Sequence, residues 1–162
     1  MSVEFFQAIQ DSNISRSIGQ LDAAFGIVAQ LLHITGLLLL LTPLLLINLR
    51  LIDRGLTGAP LDYLVAKLTP WQWLGLGLLT VSGVFMWAPG AALYQPNPAF
   101  ALKFVLLGAA LLLQLTAYRW VLLRTQRQAD VAFGLRLALV TISFVLWFGV
   151  GLAGRAVGFV AA

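Results

Sequence analysis

A single histidine stands in a chain of 162 residues that contains no cysteine, and it lies within 27 consecutive uncharged residues between Asp22 and Arg50. His33 is the one imidazole able to ligate a metal or relay a proton. On a helix its face reads Gly26, Ala29, Gln30, His33 and Gly36. Small residues at that spacing allow either close helix contact or room for a flat ligand over the ring. A neutral imidazole is a good ligand for heme iron or copper. The plainer alternative is a buried histidine that only hydrogen-bonds across helices.

Lys103 lies near the start of a later apolar run, on a sparse polar stripe that continues through Ala110, Gln114 and Ala117. No acidic residue lies at its depth, so its ammonium either snorkels to the surface or pairs with an anion brought by a ligand, such as a heme propionate. Another run adds Thr80 and Ser82; the last carries Ser143, Trp147, Gly151, Gly154 and Gly158 on one face, with Arg155 at its end. If these faces converge, His33, Ser82, Lys103 and Arg155 line one cavity, with Gln30 and Gly36 beside the imidazole. Arg155 also reads as a membrane-end anchor.

The same inventory argues against other chemistry. Without cysteine there are no disulfides, thiolate-held clusters or c-type heme attachment. One histidine cannot by itself build a soft-ligand zinc or copper site. Catalytic triads, phosphate-binding loops and HExxH are missing, which speaks against hydrolysis.

The elements that must position these residues follow from composition. The chain is 60% hydrophobic and 10% charged, with mean hydropathy +0.94, too apolar to bury its side chains in one water-soluble globule. A helix between Asp22 and Arg50 reaches roughly 40 Å against a hydrocarbon core of ~30 Å. Further runs extend from about Val65 to Trp87, Ala99 to Leu123 and Leu135 to Ala153. The expected architecture is an all-α, integral membrane four-helix bundle over 21–162, preceded by a short interfacial amphipathic helix over 1–20. That opening segment lacks the basic region of a cleavable signal peptide and is expected to persist.

Pro43 within the first run predicts a bend or loosened backbone bonding. Asn97 before Pro98 predicts a helix start. Between Lys103 and Arg119 lie 15 uncharged residues, about 22 Å of helix, too short to keep both charges outside the core. Trp71, Trp73, Trp87, Tyr94, Tyr118 and Trp120 read as interfacial belts.

Seven basic residues (Arg50, Arg54, Lys67, Arg119, Arg124, Arg127 and Arg136) flank one side of the spans, and three (Arg16, Lys103 and Arg155) the other. The positive-inside bias puts both termini outside, in the periplasm of a Gram-negative cell. The net charge of +4 is spread over helix ends rather than a basic stripe, so nucleic acid is not an expected partner.

The strings LLHITGLLLLLTPLLLINLRLI, PWQWLGLGLLTVSGVFMW and NPAFALKFVLLGAALL together resemble a family of small bacterial inner-membrane proteins of unknown function. His33, Gly36, Arg50, Asn97, Phe100 and Lys103 fall on its pattern, from about Gly26 to Leu113. Asn48 replaces the family's usual aspartate before Leu-Arg, which removes an expected ion pair to Arg50; Pro43 replaces a small residue. A shorter likeness is to the membrane domains of copper-resistance D proteins and of the heme-containing bacterial protoporphyrinogen oxidase. That resemblance implies heme b on the histidine with lysine nearby.

The functional expectation is a membrane subunit or redox protein binding heme b through His33, with Lys103 and Arg155 near the propionates. A second axial ligand would come from a partner subunit or a second copy of the chain. The competing expectations are a non-catalytic anchor or assembly subunit, or a small transporter.

Overall fold

Runs of leucine and alanine form helix readily, and in lipid a helix satisfies its own backbone hydrogen bonds. The computed structural model describes residues 3–127 and 131–160, all-α with no strand among them; the outermost residues of the expected segments 1–20 and 21–162 lie outside the described residues. Two short helices, α1 (Val3–Gln10) and α2 (Asn13–Gly19), precede α3 (Ala23–Leu51) and α4 (Leu61–Trp87). A 3-10 turn and α5 (Ala91–Tyr94) lead to α6 (Pro98–Leu113), a π-helical turn at Gln114–Tyr118 and α7 (Arg119–Gln126); α8 (Phe133–Val160) closes the fold. Four helical segments, Ala23–Leu51, Leu61–Tyr94, Pro98–Thr125 and Phe133–Phe159, are long and apolar enough to cross a membrane. They run antiparallel, so α1 and the end of α8 share one end of the bundle, the terminal end, and most basic residues share the other, the arginine end.

The spans extend past the expected limits because flanking polar residues such as Asp62 and Lys67 continue the helix. Pro43 is buried within an unbroken α3. Outward faces carry exposed Phe25, Leu31, Val81, Val105 and Phe148, a surface suited to acyl chains rather than water.

The helices pair as two hairpins, α3 with α4 and α6 with α8. In the first hairpin the backbones touch. A Cβ on Gly36 would stand 2.9 Å from the Gly75 carbonyl oxygen and 3.0 Å from Leu79 N, and one on Gly75 only 2.6 Å from both the Gly36 oxygen and Leu40 N. In the second, Asn97 caps α6 by accepting from Ala99 N (3.0 Å) and Phe100 N (3.3 Å), while its Nδ2 donates to the Val157 carbonyl at 3.1 Å. The expected helix start is present, and the same side chain ties α6 to α8.

At the terminal end α1 buries Phe6 in a cluster with Ala91, Phe100 and Val157, flanked by Trp87 and Tyr94. Gln10 Oε1 accepts from Ala92 N at 2.9 Å. The first helices thus cap the bundle, with Phe5 and Ile14 left exposed. At the arginine end, Asp53 accepts from Arg50 at 2.6 Å and from Arg136 at 3.1 Å. Asp53 has φ 55°, a left-handed conformation that aspartate tolerates. Arg50 therefore finds its carboxylate five residues beyond Asn48, which is itself fully buried.

The Gly36–Gly75 crossing leaves no room for a methyl group. Gly75→Ala is expected to lower stability by about 1–3 kcal/mol through overpacking. Gly77→Ala, where nothing lies within 4 Å of the added carbon, should be neutral or slightly stabilising because alanine favours helix. Thermal unfolding of both variants in detergent checks the contrast.

Candidate functional site

The register of the α3–α4 crossing determines what His33 meets. Gly36 faces Leu79 and Leu40 faces Gly75; three residues further toward the terminal end on each helix, His33 faces Ser82. The two side chains are hydrogen-bonded, His33 Nδ1 to Ser82 Oγ at 2.9 Å. Ser82 Oγ also donates to the Leu78 carbonyl one turn back. A serine hydroxyl has one proton. A hydroxyl that donates to Leu78 can only accept from His33, an arrangement that puts the imidazole proton on Nδ1 and leaves the Nε2 lone pair free. Gly83 gives the ring space: a Cβ there would sit 3.5 Å from His33 Cε1.

Lys103 enters this layer from α6. Its chain lies along Gly154 of α8, where a Cβ would come 3.6 Å from Cε and 3.7 Å from Nζ. Among the described residues Lys103 makes no ion pair or side-chain hydrogen bond. His33 and Lys103 are both half-buried.

Other expected neighbours lie elsewhere. Arg155 is exposed, with its guanidinium 5.2 Å from the Phe159 ring centroid. Gln30 is exposed as well, because only Ala29 on that turn of α3 is buried. Gly36 serves the backbone crossing, so its missing side chain admits α4 rather than a ligand. The structure thus joins His33 to Ser82 and sets Lys103 against α8, while Arg155 and Gln30 are exposed.

Below this layer, toward the arginine end, Leu40, Leu44, Ala110 and Trp147 form an apolar cluster with Leu76, Leu79 and Leu107. Beyond it opens a cleft of about 340 Å³ between the hairpins, reached by Gln72 of α4, Gln114 and Tyr118 of the π-helical turn and Trp147 of α8. Gln72 Nε2, Gln114 Oε1, Tyr118 OH and Trp147 Nε1 are all buried without a hydrogen-bond partner among the described residues. Such atoms each cost about 1–3 kcal/mol.

The sequence reading missed this cleft. Tyr118, expected in an interfacial belt, is 1% exposed; Trp71, Trp73 and Trp120, by contrast, are about half exposed, as a belt requires. Gln114 and Trp147 were on stripes with no partner to join. Gln114 among apolar residues, with Tyr118 four positions on and so on the same helical face, was the available signal; the π-helical turn over Gln114–Tyr118 has no residue signature here. Such turns recur at functional sites.

A family of unknown function, DUF6644, matches over residues 4–160. The chain belongs to the DUF6644 family. Membership meets the expected resemblance to a family of unknown function and extends it from the stretch Gly26 to Leu113 to nearly the whole chain. No curated protein and no solved structure matches it. Within this DUF6644 chain, chemical assignment therefore rests on the two interior layers themselves.

The tautomer of His33 is directly measurable, because the chain has one histidine. With ¹⁵N-labelled histidine, NMR should give one protonated nitrogen, Nδ1, and one unprotonated, Nε2. Ser82→Ala should move the pair toward the tautomer mixture of a free imidazole.

Proposed function

We propose that this chain is a membrane-embedded heme b-binding subunit for redox or electron transfer, with His33 Nε2 as the iron ligand. The observation that carries the reading is the hydrogen-bond chain from His33 through Ser82 to the Leu78 carbonyl. Metal-bound histidines characteristically donate their other ring nitrogen to a fixed acceptor, which sets the tautomer and the ring plane. Ser82 is such an acceptor.

The donor set fits the group. One imidazole and no thiolate cannot enclose a bare metal ion, but would suffice to hold an iron that brings its other ligands with it. Lys103 offers a cation at the same depth for a propionate, and the apolar cluster beneath His33 keeps that layer from water. Bound heme would supply one-electron redox chemistry; His33 holds the ligating lone pair, Ser82 orients it and Lys103 compensates anionic charge.

The proposed setting is the bacterial inner membrane, with both termini periplasmic and the second axial ligand from a partner subunit or a second copy. The basic residues at the arginine end support that orientation. In the cysteine-free chain, Gln95→Cys should react with an impermeant maleimide on intact spheroplasts, and Gly58→Cys only after permeabilisation.

The decisive measurement is a visible spectrum of the purified protein, oxidised and reduced, as isolated and after heme addition. A Soret band lost in His33→Ala and retained in Arg155→Ala is expected. Ser82→Ala should weaken heme affinity by about 10- to 100-fold. No Soret band under any of these conditions would leave the alternative, an anchor or assembly subunit whose His33–Ser82 pair only joins helices.

A further inference from the structure

The cleft on the arginine side of the leucine layer carries its own signal. We propose that it binds the head group of a neutral, lipid-soluble quinone. It shares none of the residues His33, Ser82 or Lys103, so the proposal stands apart from the heme reading.

Its chemistry narrows the occupant in four steps. Three of the unpartnered buried groups, Gln72 Nε2, Tyr118 OH and Trp147 Nε1, can donate, so the ligand must present acceptor oxygens. Gln114 Oε1 accepts, which suits the hydroxyl that such an oxygen becomes on reduction. Among the described residues no acidic side chain lines the cleft and the one cation that does, Arg119, is exposed; a ligand charge would be uncompensated, so the head is neutral. The remaining lining is aliphatic and aromatic, including Leu44, Leu76, Leu111 and Trp73. That combination of a mostly apolar wall with a few convergent polar groups characterises small-molecule sites.

Access and size point the same way. Trp73, Leu115 and Leu123, which also line the cleft, are about half exposed and lie on α4, the π-helical turn and α7. The mouth is therefore on the apolar flank of the spans, between the hairpins, where a molecule enters from the bilayer rather than from water. A volume of about 340 Å³ is at the small end of ligand sites: one ring fits inside, and a chain attached to it leaves through the mouth. Tyr118 is 1%, Trp147 4% and Gln72 9% exposed, so all three donors are held within the protein rather than at its lipid surface.

The test uses the full-length protein in quinone-free lipid nanodiscs, titrated with a decyl-substituted benzoquinone, with decylbenzene as a probe of similar shape that lacks carbonyl oxygens. Tryptophan fluorescence reports the titration, and quinone retained per chain after gel filtration is measured by absorbance. Saturable quenching near one quinone per chain is expected, with decylbenzene competing poorly. Tyr118→Phe and Gln72→Leu should each weaken binding by about three- to tenfold, the loss of one hydrogen bond. Thr69→Phe, which places a ring in the cleft from its half-buried wall, should abolish saturable binding while leaving the melting profile intact. Decylbenzene competing as tightly as the quinone would identify a groove for acyl chains and overturn the proposal. So would non-saturable quenching that is equal in wild type and Thr69→Phe.

Discussion

The contact on which the rest depends is the one between the backbones of Gly36 and Gly75. In a membrane the hydrophobic effect does not drive helices together, because acyl chains are as apolar as leucine. Close packing between small residues does, and here the carbonyl oxygen of each glycine occupies the space a side chain would need on the other. That contact sets a register as well as a distance. Shift α4 by one residue and its helical rotation, about 100° per residue, turns Ser82 away from His33.

Polar groups are then arranged in two layers separated by leucines. Toward the termini, His33, Ser82 and Lys103 come together from α3, α4 and α6, with Gly154 of α8 making room for the lysine stem. Toward the arginine end, Gln114 and Tyr118 of the π-helical turn face a common cleft with Gln72 and Trp147. The apolar cluster between the layers keeps them chemically separate. An aromatic cap built by α1 closes one end and the Asp53 ion cluster the other. The latter is about half exposed at the carboxylate, so each pair contributes at most about 1 kcal/mol.

The two layers differ in how fully they satisfy themselves. Ser82 holds one ring nitrogen of His33 in a hydrogen bond. In the cleft, among the described residues, no polar side chain supplies a partner for another, although the groups face a common space. A bundle that needed these residues only for helix packing would be expected to pair them with each other.

Length, hydropathy and the placement of charge determined four spans of alternating direction, since a lipid solvent admits few other arrangements for such a chain. The spacing of Asn97 and Pro98 located a helix start, and the single histidine located a layer. Local composition could not say which residues share that layer. Arg155 and Gln30 have the right depth, yet depth fixes only one coordinate; rotation about each helix axis fixes the others and depends on which small residues touch. The inner cleft was decided by tertiary structure: Gln114 and Tyr118, four residues apart, share a helical face along the chain, but only the packing of the hairpins turns that face toward Gln72 and Trp147. Tyr118 thus reads as an interfacial aromatic along the chain and becomes a buried hydroxyl only once the hairpins are side by side.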